Sequence, residues 1–208
     1  MTRLVIDSRE PDPAALRNAA DVLRRGGLVA YPTDTLYGLA VDPRSNRAVE
    51  KLFAVKGRDP SAAIPLIAAD LEQARRAGTF QPADEQLAAA LWPGPLTIVV
   101  AASRLLSTLL TGDRGTVGVR VPLHAVARRL AAAFGDCITS TSANLSGRAP
   151  AITADGVAVA LGDRIDLLLD GGPSPGGPPS TVVELVDGRP TLHRAGAIAW
   201  DRVLESLK

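Results

Sequence analysis

Short apolar runs alternate with helical segments along most of the chain, and this alternation restricts the fold more than any other feature. The runs 28–31, 96–101 and 117–121 have the length and residue types of buried strands. Segments 46–56 and 126–134 carry apolar residues at helical spacing. Alternation of this kind is typical of α/β proteins, and a few strands near the end follow one another directly. We therefore predict an open, twisted, mixed sheet flanked by helices.

The chain length favours one domain over residues 1–208. A chain of 208 residues fits one domain, and 46% of its residues are hydrophobic, which is enough for a sizeable core. Aromatic residues are only 3%, so the core must be aliphatic. The N-terminus has no apolar signal region and no run reaches membrane-span length, so we expect a soluble cytoplasmic protein without a membrane partner.

The first polar cluster follows the buried run 28–31, in the stretch GGLVAYPTDTLYGLAVD. Three hydroxyl residues, Thr33, Thr35 and Tyr37, stand close together there, with Asp34 among them. Polar side chains at the end of a buried strand are where an α/β fold usually builds a ligand site. We expect this segment to form one wall of such a site, and the division of roles between Thr33 and Thr35 stays open.

A second polar cluster mirrors the first one, in TSTSANLSG at residues 139–147. Runs of Ser and Thr are often ordinary turn residues, but five hydroxyls and an amide after a buried strand exceed what a turn requires. Ser140, Ser142 and Asn144 are therefore candidate ligand residues. A Gly- and Pro-rich loop at 170–181 then delivers Ser180, a further candidate, into the next strand.

Four cationic residues occupy predicted helix ends, loops or strands between and after these clusters. Lys56 ends a predicted helix and Arg58 lies in the loop after it, Arg120 lies between valines in VGVRV, and Arg194 ends a late strand. Cations at the end of a helix also interact well with its dipole, and Arg120 could lie on the wet face of an edge strand, so these structural explanations stay open. Gathered with the hydroxyls, the same cations suit an anionic ligand that carries phosphates or carboxylates.

Several function classes are excluded or disfavoured. The single cysteine, Cys137, rules out a disulfide framework and a multi-cysteine zinc site, and it suits a buried strand position. His124 and His193 are far apart and neither lies near a G-x-S-x-G elbow. Walker and G-x-G-x-x-G motifs are missing. The residues alone thus indicate an anion-binding, nucleotide-binding α/β enzyme.

The ordered motifs resemble those of the YrdC/Sua5 family. They are YPTDTLYGLAVD, LFAVKGRD, WPGPLTIVV, VGVRVP, TSTSANLSG, DGG, PSTVVE and HRAG, and they run from about Gly26 to Gly196. The paired signature K-x-R and S-x-N is present as Lys56/Arg58 and Ser142/Asn144. Because the chain ends at Lys208, it resembles the short form with a single YrdC-like domain and without the C-terminal Sua5 domain.

The resemblance implies a deep electropositive cavity and a nucleotidyltransferase reaction. Members of the family are L-threonylcarbamoyladenylate synthases, which convert L-threonine, bicarbonate and ATP into L-threonylcarbamoyladenylate and pyrophosphate. A downstream threonylcarbamoyl transferase complex then modifies adenosine 37 of tRNA. Mg²⁺ is expected with ATP, without dedicated protein ligands, and tRNA itself is expected to bind weakly at most.

The resemblance also implies roles for the candidate residues. On the side of L-threonine and bicarbonate stand Thr35, Tyr37, Arg120, Ser140 and Ser180, with Arg120 clamping the threonine carboxylate. On the side of ATP stand Lys56, Arg58, Thr116, Ser142, Asn144 and Arg194, and Lys56 and Arg58 would also serve catalysis. No side chain is needed as a covalent nucleophile, since positioning and charge neutralisation suffice.

The sequence departs from many relatives after the K-x-R loop. Those relatives have N-P-L or K-P-L, and some have a later His that touches threonine, whereas Ile64 precedes Pro65 here and Ala69 stands where that His would be. Pro150 likewise replaces a Ser that some relatives offer to ATP. These departures concern the finer contacts to threonine and nucleotide.

Two other functions compete with the synthase. A non-catalytic RNA-binding module could use the same basic cavity, although a net charge of +1 and few aromatic residues count against it. An O-carbamoyltransferase activity, as in the related domain of hydrogenase maturation factors, goes with zinc-finger-like cysteines that this sequence does not contain.

Overall fold

A computed structural model of the chain describes residues 1–57 and 63–208. The strands in this part of the chain are β1 (Thr2–Val5), β2 (Val29–Pro32), β3 (Tyr37–Ala40), β4 (Leu66–Ile67), β5 (Gly78–Thr79), β6 (Leu96–Ala102), β7 (Thr116–Arg120), β8 (Ile138–Thr139), β9 (Thr141–Ser142), β10 (Leu167–Asp170), β11 (Thr181–Val186) and β12 (Arg189–Arg194). The α-helices are α1 (Pro13–Arg24), α2 (Asn46–Lys56), α3 (Leu71–Ala74), α4 (Pro82–Leu91), α5 (Thr108–Thr111), α6 (Ala125–Phe134), α7 (Ala154–Leu161) and α8 (Trp200–Glu205). A short 3-10 helix, Gly162–Arg164, follows α7. The predicted mixed α/β class is confirmed.

The strands are divided between two mixed sheets, although a single sheet was predicted. One sheet has the strand order β1-β10-β2-β3-β9, and the other has the order β12-β11-β6-β7-β4-β8, with β5 paired to β6. The predicted strand 138–140 is the point of division. Leu66 pairs with Thr139 in the larger sheet, while Leu39 pairs with Thr141 in the smaller one. The chain therefore passes from one sheet to the other at Ser140.

Backbone hydrogen bonds hold the sheets together at this crossing. The Thr139 N–H donates to the Val41 carbonyl at 3.2 Å, and the Thr139 hydroxyl accepts from the Val41 N–H at 2.8 Å. Just beyond, the Ser140 N–H donates to the Pro65 carbonyl at 2.7 Å. The polar strand ends of both sheets consequently face the same region.

Strand register brings the other candidate residues to that region. Ile67 of β4 is the parallel partner of Arg120 at the end of β7. On the far side of β6, Thr181 of β11 pairs with Leu96. Ser180, which immediately precedes β11, thus lies near the same end of the sheet as Arg120. The irregular loop before β11 delivers Ser180 as predicted.

Two aliphatic cores bury both faces of the smaller sheet. Leu28 and Ala30 belong to the larger core, which also contains Leu96 of the other sheet, whereas Val29 and Tyr31 belong to the core under α1 and α6. Burial on both faces explains why 28–31 is a continuous apolar run without alternation.

The ends of several helices have local causes in the sequence. The Asp12 carboxylate accepts from the Ala14 N–H at 3.0 Å at the start of α1, and Thr153 caps α7 through the Gly156 N–H at 3.1 Å. Helix α2 ends at Gly57, whose φ of 57° lies in the left-handed region that glycine adopts readily. This stop places Lys56 in the last turn of α2.

Candidate active site

A cavity of about 240 Å³ opens where the ends of strands from both sheets converge. Its polar lining consists of hydroxyls and two guanidinium groups, contributed by Thr33, Thr35, Tyr37, Thr97, Ser140, Thr141, Ser142, Ser180, Arg120 and Arg194. Apolar residues from β4 and the segment before it complete the wall, with Pro150 and Pro179. Among the described residues, no carboxylate or imidazole lines this cavity. Such a lining is suited to a ligand with more than one negative charge.

The β2–β3 connection forms the first wall, and its two threonines have different surroundings. The Thr33 hydroxyl donates to the Leu36 carbonyl at 2.6 Å and accepts from the N–H groups of Thr35 and Leu36, each at 3.2 Å. Thr33 therefore closes the turn. The Thr35 hydroxyl contacts that of Thr33 at 3.3 Å and has no other hydrogen bond within the described residues, so it retains capacity for a ligand.

Tyr37 contributes a buried ring to the cavity, with its hydroxyl turned to the Gly-rich loop. The hydroxyl donates to the Gly172 carbonyl at 2.7 Å. Burial raises the pKa of this phenol to about 12, and Asp170 acts in the same direction. The group therefore stays protonated and is committed as a donor to the loop in this structure.

Arg120 lies in the floor of the cavity, with only 8% of the residue exposed. Its Nε donates to the Gly94 carbonyl at 2.9 Å, and its Nη2 forms an ion pair with the Asp34 carboxylate. Burial lowers the pKa of the guanidinium, while the negative charge of Asp34 opposes that shift. The predicted buried cation is thus confirmed, and it has an internal carboxylate partner that the sequence analysis did not assign.

Arg194 and Ser180 form a second polar centre in the same cavity. The Arg194 guanidinium donates to the Ser180 carbonyl from Nε at 3.1 Å and from Nη2 at 2.8 Å, and Nη2 also contacts the Ser180 hydroxyl at 2.9 Å. Thr97 completes the centre, with its hydroxyl 2.8 Å from that of Ser180. Burial lowers the pKa of Arg194, and the positive charge of Arg120 lowers that pKa further. The two guanidiniums are therefore close enough to repel each other.

The second hydroxyl cluster is anchored by Lys56. This lysine is only 3% exposed, and its ammonium donates to the carbonyls of Ser142 at 2.5 Å and Asn144 at 2.9 Å. The Asn144 amide nitrogen in turn donates to the carbonyls of Leu145 and Arg148. The K-x-R and S-x-N motifs are thus in direct contact, and Lys56 holds the loop that carries Ser142.

The structure brings together most of the predicted site residues. Seven of them line the cavity, namely Thr35, Tyr37, Arg120, Ser140, Ser142, Ser180 and Arg194. Lys56 and Asn144 lie behind Ser142 and are not part of the lining. Thr116 stands at the opposite end of β7 from Arg120 and is not part of the lining either. Arg58 lies outside the described residues.

Of the three residues at which the sequence departs from many relatives, two pack in the cores and one lines the cavity. Ile64 is buried in the larger core, and Ala69 packs against the smaller core, so neither lines the cavity. Pro150 does line it. The apolar character of positions 64 and 69 therefore agrees with their packing.

Sequence reasoning missed three residues of the site, of which Thr141 lies in the second hydroxyl cluster between the candidates Ser140 and Ser142. Thr97 is a buried hydroxyl in the apolar strand LTIVV, which is a signal that could have identified it. Asp34 stands among the threonines of PTDT, and a buried arginine such as Arg120 requires a partner of opposite charge. Considering the two together would have suggested the ion pair.

The remaining reactive side chains have structural surroundings. Cys137 is buried, and burial raises the pKa of its thiol to about 12. The His193 imidazole lies 2.6 Å from the Glu184 carboxylate, and neither residue lines the cavity. No group of three or more His, Cys, Asp or Glu residues in the described part of the chain could hold a metal ion. In the same ranges, the helices are too short or too polar to cross a membrane.

The chain is similar to proteins of known family. Residues 21–196 match the Sua5_yciO_yrdC family model, whose description reads "Telomere recombination". The threonylcarbamoyl-AMP synthase of Halorhodospira halophila is 44% identical over 160 residues, which cover 76% of this chain and 84% of the relative. That of Pyrococcus abyssi is 35% identical over 202 residues, which cover 96% of this chain but only 59% of the longer relative.

A solved structure extends the similarity to three dimensions. The structure of P. abyssi Sua5 complexed with L-threonine matches with a TM-score of 0.93 at 32% identity. The match covers 99% of this chain and 61% of the other. The fold is therefore shared with a protein whose structure has been solved in complex with L-threonine.

Proposed function

Because the chain belongs to the Sua5/YciO/YrdC family, we propose that it is a threonylcarbamoyl-AMP synthase. In this reaction the amino group of L-threonine combines with bicarbonate to give a carbamate and water. A carbamate oxygen then attacks the α-phosphorus of ATP, the bond from that phosphorus to the bridging oxygen breaks, and pyrophosphate leaves. The chain would thus act as a nucleotidyltransferase.

The observation that carries the proposal is the pairing of two guanidiniums in a cavity without a carboxylate lining. Arg120 and Arg194 both face this space, and the nearby charge of Arg120 lowers the pKa of Arg194. Two cations held together in a partly buried site are stabilised by ligands of opposite charge. A threonine carboxylate and a nucleotide phosphate supply two such charges.

The division of the cavity follows the contacts of its residues. We assign L-threonine to the side of Arg120, Thr35 and Ser140, and we assign the phosphates to the side of Arg194 and Ser142. The two sides meet at the contact between Arg194 Nη2 and the Ser180 hydroxyl, at 2.9 Å. The carbamate and the α-phosphate would therefore react next to Ser180.

The side chains contribute position and charge to this reaction. Hydroxyl donors and guanidiniums fixed by the protein can neutralise charge that builds on the phosphate without reorganising during the reaction. Lys56 acts indirectly, because its ammonium donates to the carbonyls of Ser142 and Asn144 and so holds Ser142 in the cavity wall. The phosphate roles assigned to Lys56, Arg58, Thr116 and Asn144 remain part of the proposal.

Mg²⁺ enters this scheme as a partner of the ATP phosphates. The described residues offer no cluster of three acidic or imidazole ligands, and Mg²⁺ is commonly bound through substrate phosphates and water. We propose that MgATP is the substrate. The metal would share with the guanidiniums the neutralisation of phosphate charge.

We propose that the product passes to a threonylcarbamoyl transferase complex that modifies tRNA, and that the activity is cytoplasmic. Because the relatives reported above are named as synthases, the alternative of a non-catalytic RNA-binding module has no support from them. Weak contact with tRNA during transfer is compatible with the synthase.

The proposal is tested by pyrophosphate release from MgATP with purified protein. We expect release that requires both L-threonine and bicarbonate. Release without threonine, or no release with all three substrates present, would contradict the proposal. Strong, salt-sensitive binding of tRNA without any turnover would instead favour the RNA-binding module.

A further inference from the structure

We infer that Asp34 is a positioning residue of the reaction, which holds the Arg120 guanidinium so that the Nη1 group of that guanidinium meets the carboxylate of L-threonine. The inference rests on the proposed function, and it extends the ion pair of Asp34 and Arg120 from charge balance to the orientation of a substrate-binding group. Asp34 would act through Arg120 and would not touch the substrate.

The hydrogen bonds of Arg120 show which part of the guanidinium is left for a ligand. Nε donates to the Gly94 carbonyl at 2.9 Å, and Nη2 donates to Asp34 Oδ2. Nη1 has no hydrogen-bond partner within residues 1–57 and 63–208. Since Arg120 lines the cavity, its two unused Nη1 N–H groups are available to a bound carboxylate.

Asp34 is itself held in place by its neighbours in the fold. It lies in the turn that Thr33 closes, and its Oδ2 also accepts from the Leu123 N–H at 3.4 Å. Its side chain is 16% exposed, and its Oδ1 is buried without a partner among the described residues. A carboxylate fixed in this way restricts the rotation of the guanidinium that it contacts.

The charge of Asp34 supports the same role. Arg120 is buried beside a second cation, Arg194, and the described residues that line the cavity include no acid. Asp34 is therefore the carboxylate that balances the charge of Arg120 when no ligand is bound. Without Asp34, the guanidinium would have only the neutral Gly94 carbonyl as an acceptor among the described residues, and both its Nη1 and Nη2 groups would lack a partner there.

The opposite effect of Asp34 on binding must be weighed. Its negative charge also repels an incoming carboxylate, so its removal could strengthen threonine binding if orientation were unimportant. The two effects have opposite signs in the KM for L-threonine, and this makes the inference testable. We expect the loss of orientation to outweigh the loss of repulsion. A guanidinium released from Asp34 can rotate so that its Nη1 group no longer points at the bound carboxylate.

The experiment measures pyrophosphate release by the full chain as a function of L-threonine and of MgATP. We compare D34A, which removes the acceptor, with D34N, which keeps an acceptor oxygen without the charge. D21N is the matched control, because Asp21 forms an exposed ion pair with Arg24 in α1. Thermal unfolding without ligands reports on folding of each variant.

We expect the KM for L-threonine to rise about tenfold or more in D34A. The KM for ATP should change less than twofold, D34N should recover most of the loss, and D21N should match the wild type. In a double-mutant cycle, D34A should add little to R120M, because Asp34 acts through Arg120. If D34A folds too poorly to assay, D34S, whose shorter side chain does not reach Arg120 Nη2, gives the same cycle with R120M and their double variant.

Several results would overturn the inference. A KM for L-threonine that is unchanged or lower in D34A would show that Asp34 does not position the clamp. Equal changes in both KM values, or full additivity with R120M, would indicate a merely structural role. These results require an active wild type, whereas an inactive wild type would reject the proposed function together with the inference.

Discussion

Replacement of Lys56 by methionine should destabilise the protein even when no substrate is present. Methionine retains an apolar side chain of similar length and removes the ammonium. The carbonyls of Ser142 and Asn144 then lose a buried donor that is 2.5 Å and 2.9 Å away. The perturbation therefore separates a role in holding the loop from a role in binding phosphate.

The size of the effect follows from these two contacts. A buried polar group left without its partner costs about 1–3 kcal/mol. Burying methionine is easier than burying a charged ammonium, and this offsets part of the loss, so the two carbonyls together cost roughly 3 kcal/mol of unfolding free energy. For a chain of this size, about 1 kcal/mol corresponds to about 2–4 °C in melting temperature. We expect K56M to melt about 6–12 °C below the wild type.

Lys51 supplies the control because it lies in the same helix, about 1.4 turns before Lys56. Its ammonium pairs with Asp166 at 2.8 Å, and both side chains are more than 40% exposed, which makes the pair worth about 1 kcal/mol or less. Differential scanning fluorimetry without ligands should therefore show K51M close to the wild type. Equal melting temperatures for K56M and K51M would refute the reasoning.

Three further predictions concern the second polar centre and the buried thiol. In G196A the new methyl group would lie 2.3 Å from the Pro179 carbonyl oxygen and 2.5 Å from the Ser180 backbone, so Ser180 must shift. The KM for L-threonine, measured by pyrophosphate release, should therefore rise. An unchanged KM would show that Ser180 need not stay in place. T97V removes the hydroxyl that contacts Ser180 and should lower the free energy of unfolding in urea by about 1 kcal/mol, and equal stability would contradict that contact. Because burial raises the pKa of Cys137 to about 12, the thiol should react with Ellman's reagent at pH 8 only after unfolding in urea, and fast reaction of the folded protein would contradict its burial.

Features with local causes were predictable from the sequence. Helices α1 and α7 begin where Asp12 and Thr153 cap them, and α2 ends at a left-handed glycine. The hydroxyl clusters were also predictable as cavity walls, because an α/β fold usually builds its ligand site where polar side chains follow buried strands. Arg120 was recognisable since a charge between buried valines requires a partner.

The remaining features depend on contacts between distant parts of the chain. The division into two sheets occurs within 138–142, where each pair of residues finds its partner strand far away in the sequence. The ion pair between Asp34 and Arg120 joins residues 86 positions apart. The ammonium of Lys56 meets Ser142 over an equal separation. Hydrophobic periodicity contains no information about such pairings, and for Asp34 and Arg120 only their opposite charges offered a signal.

The central claim is that one cavity joins L-threonine, bicarbonate and the AMP part of ATP. Its most direct test is mass spectrometry of the reaction products after incubation with MgATP, L-threonine and carbon-13 bicarbonate. We expect a labile adduct that contains AMP, threonine and a single carbon-13 label, together with pyrophosphate. R120M should form much less of this adduct at low threonine concentration. ATP consumption without a labelled adduct, or an adduct that carries no label, would contradict the proposed reaction.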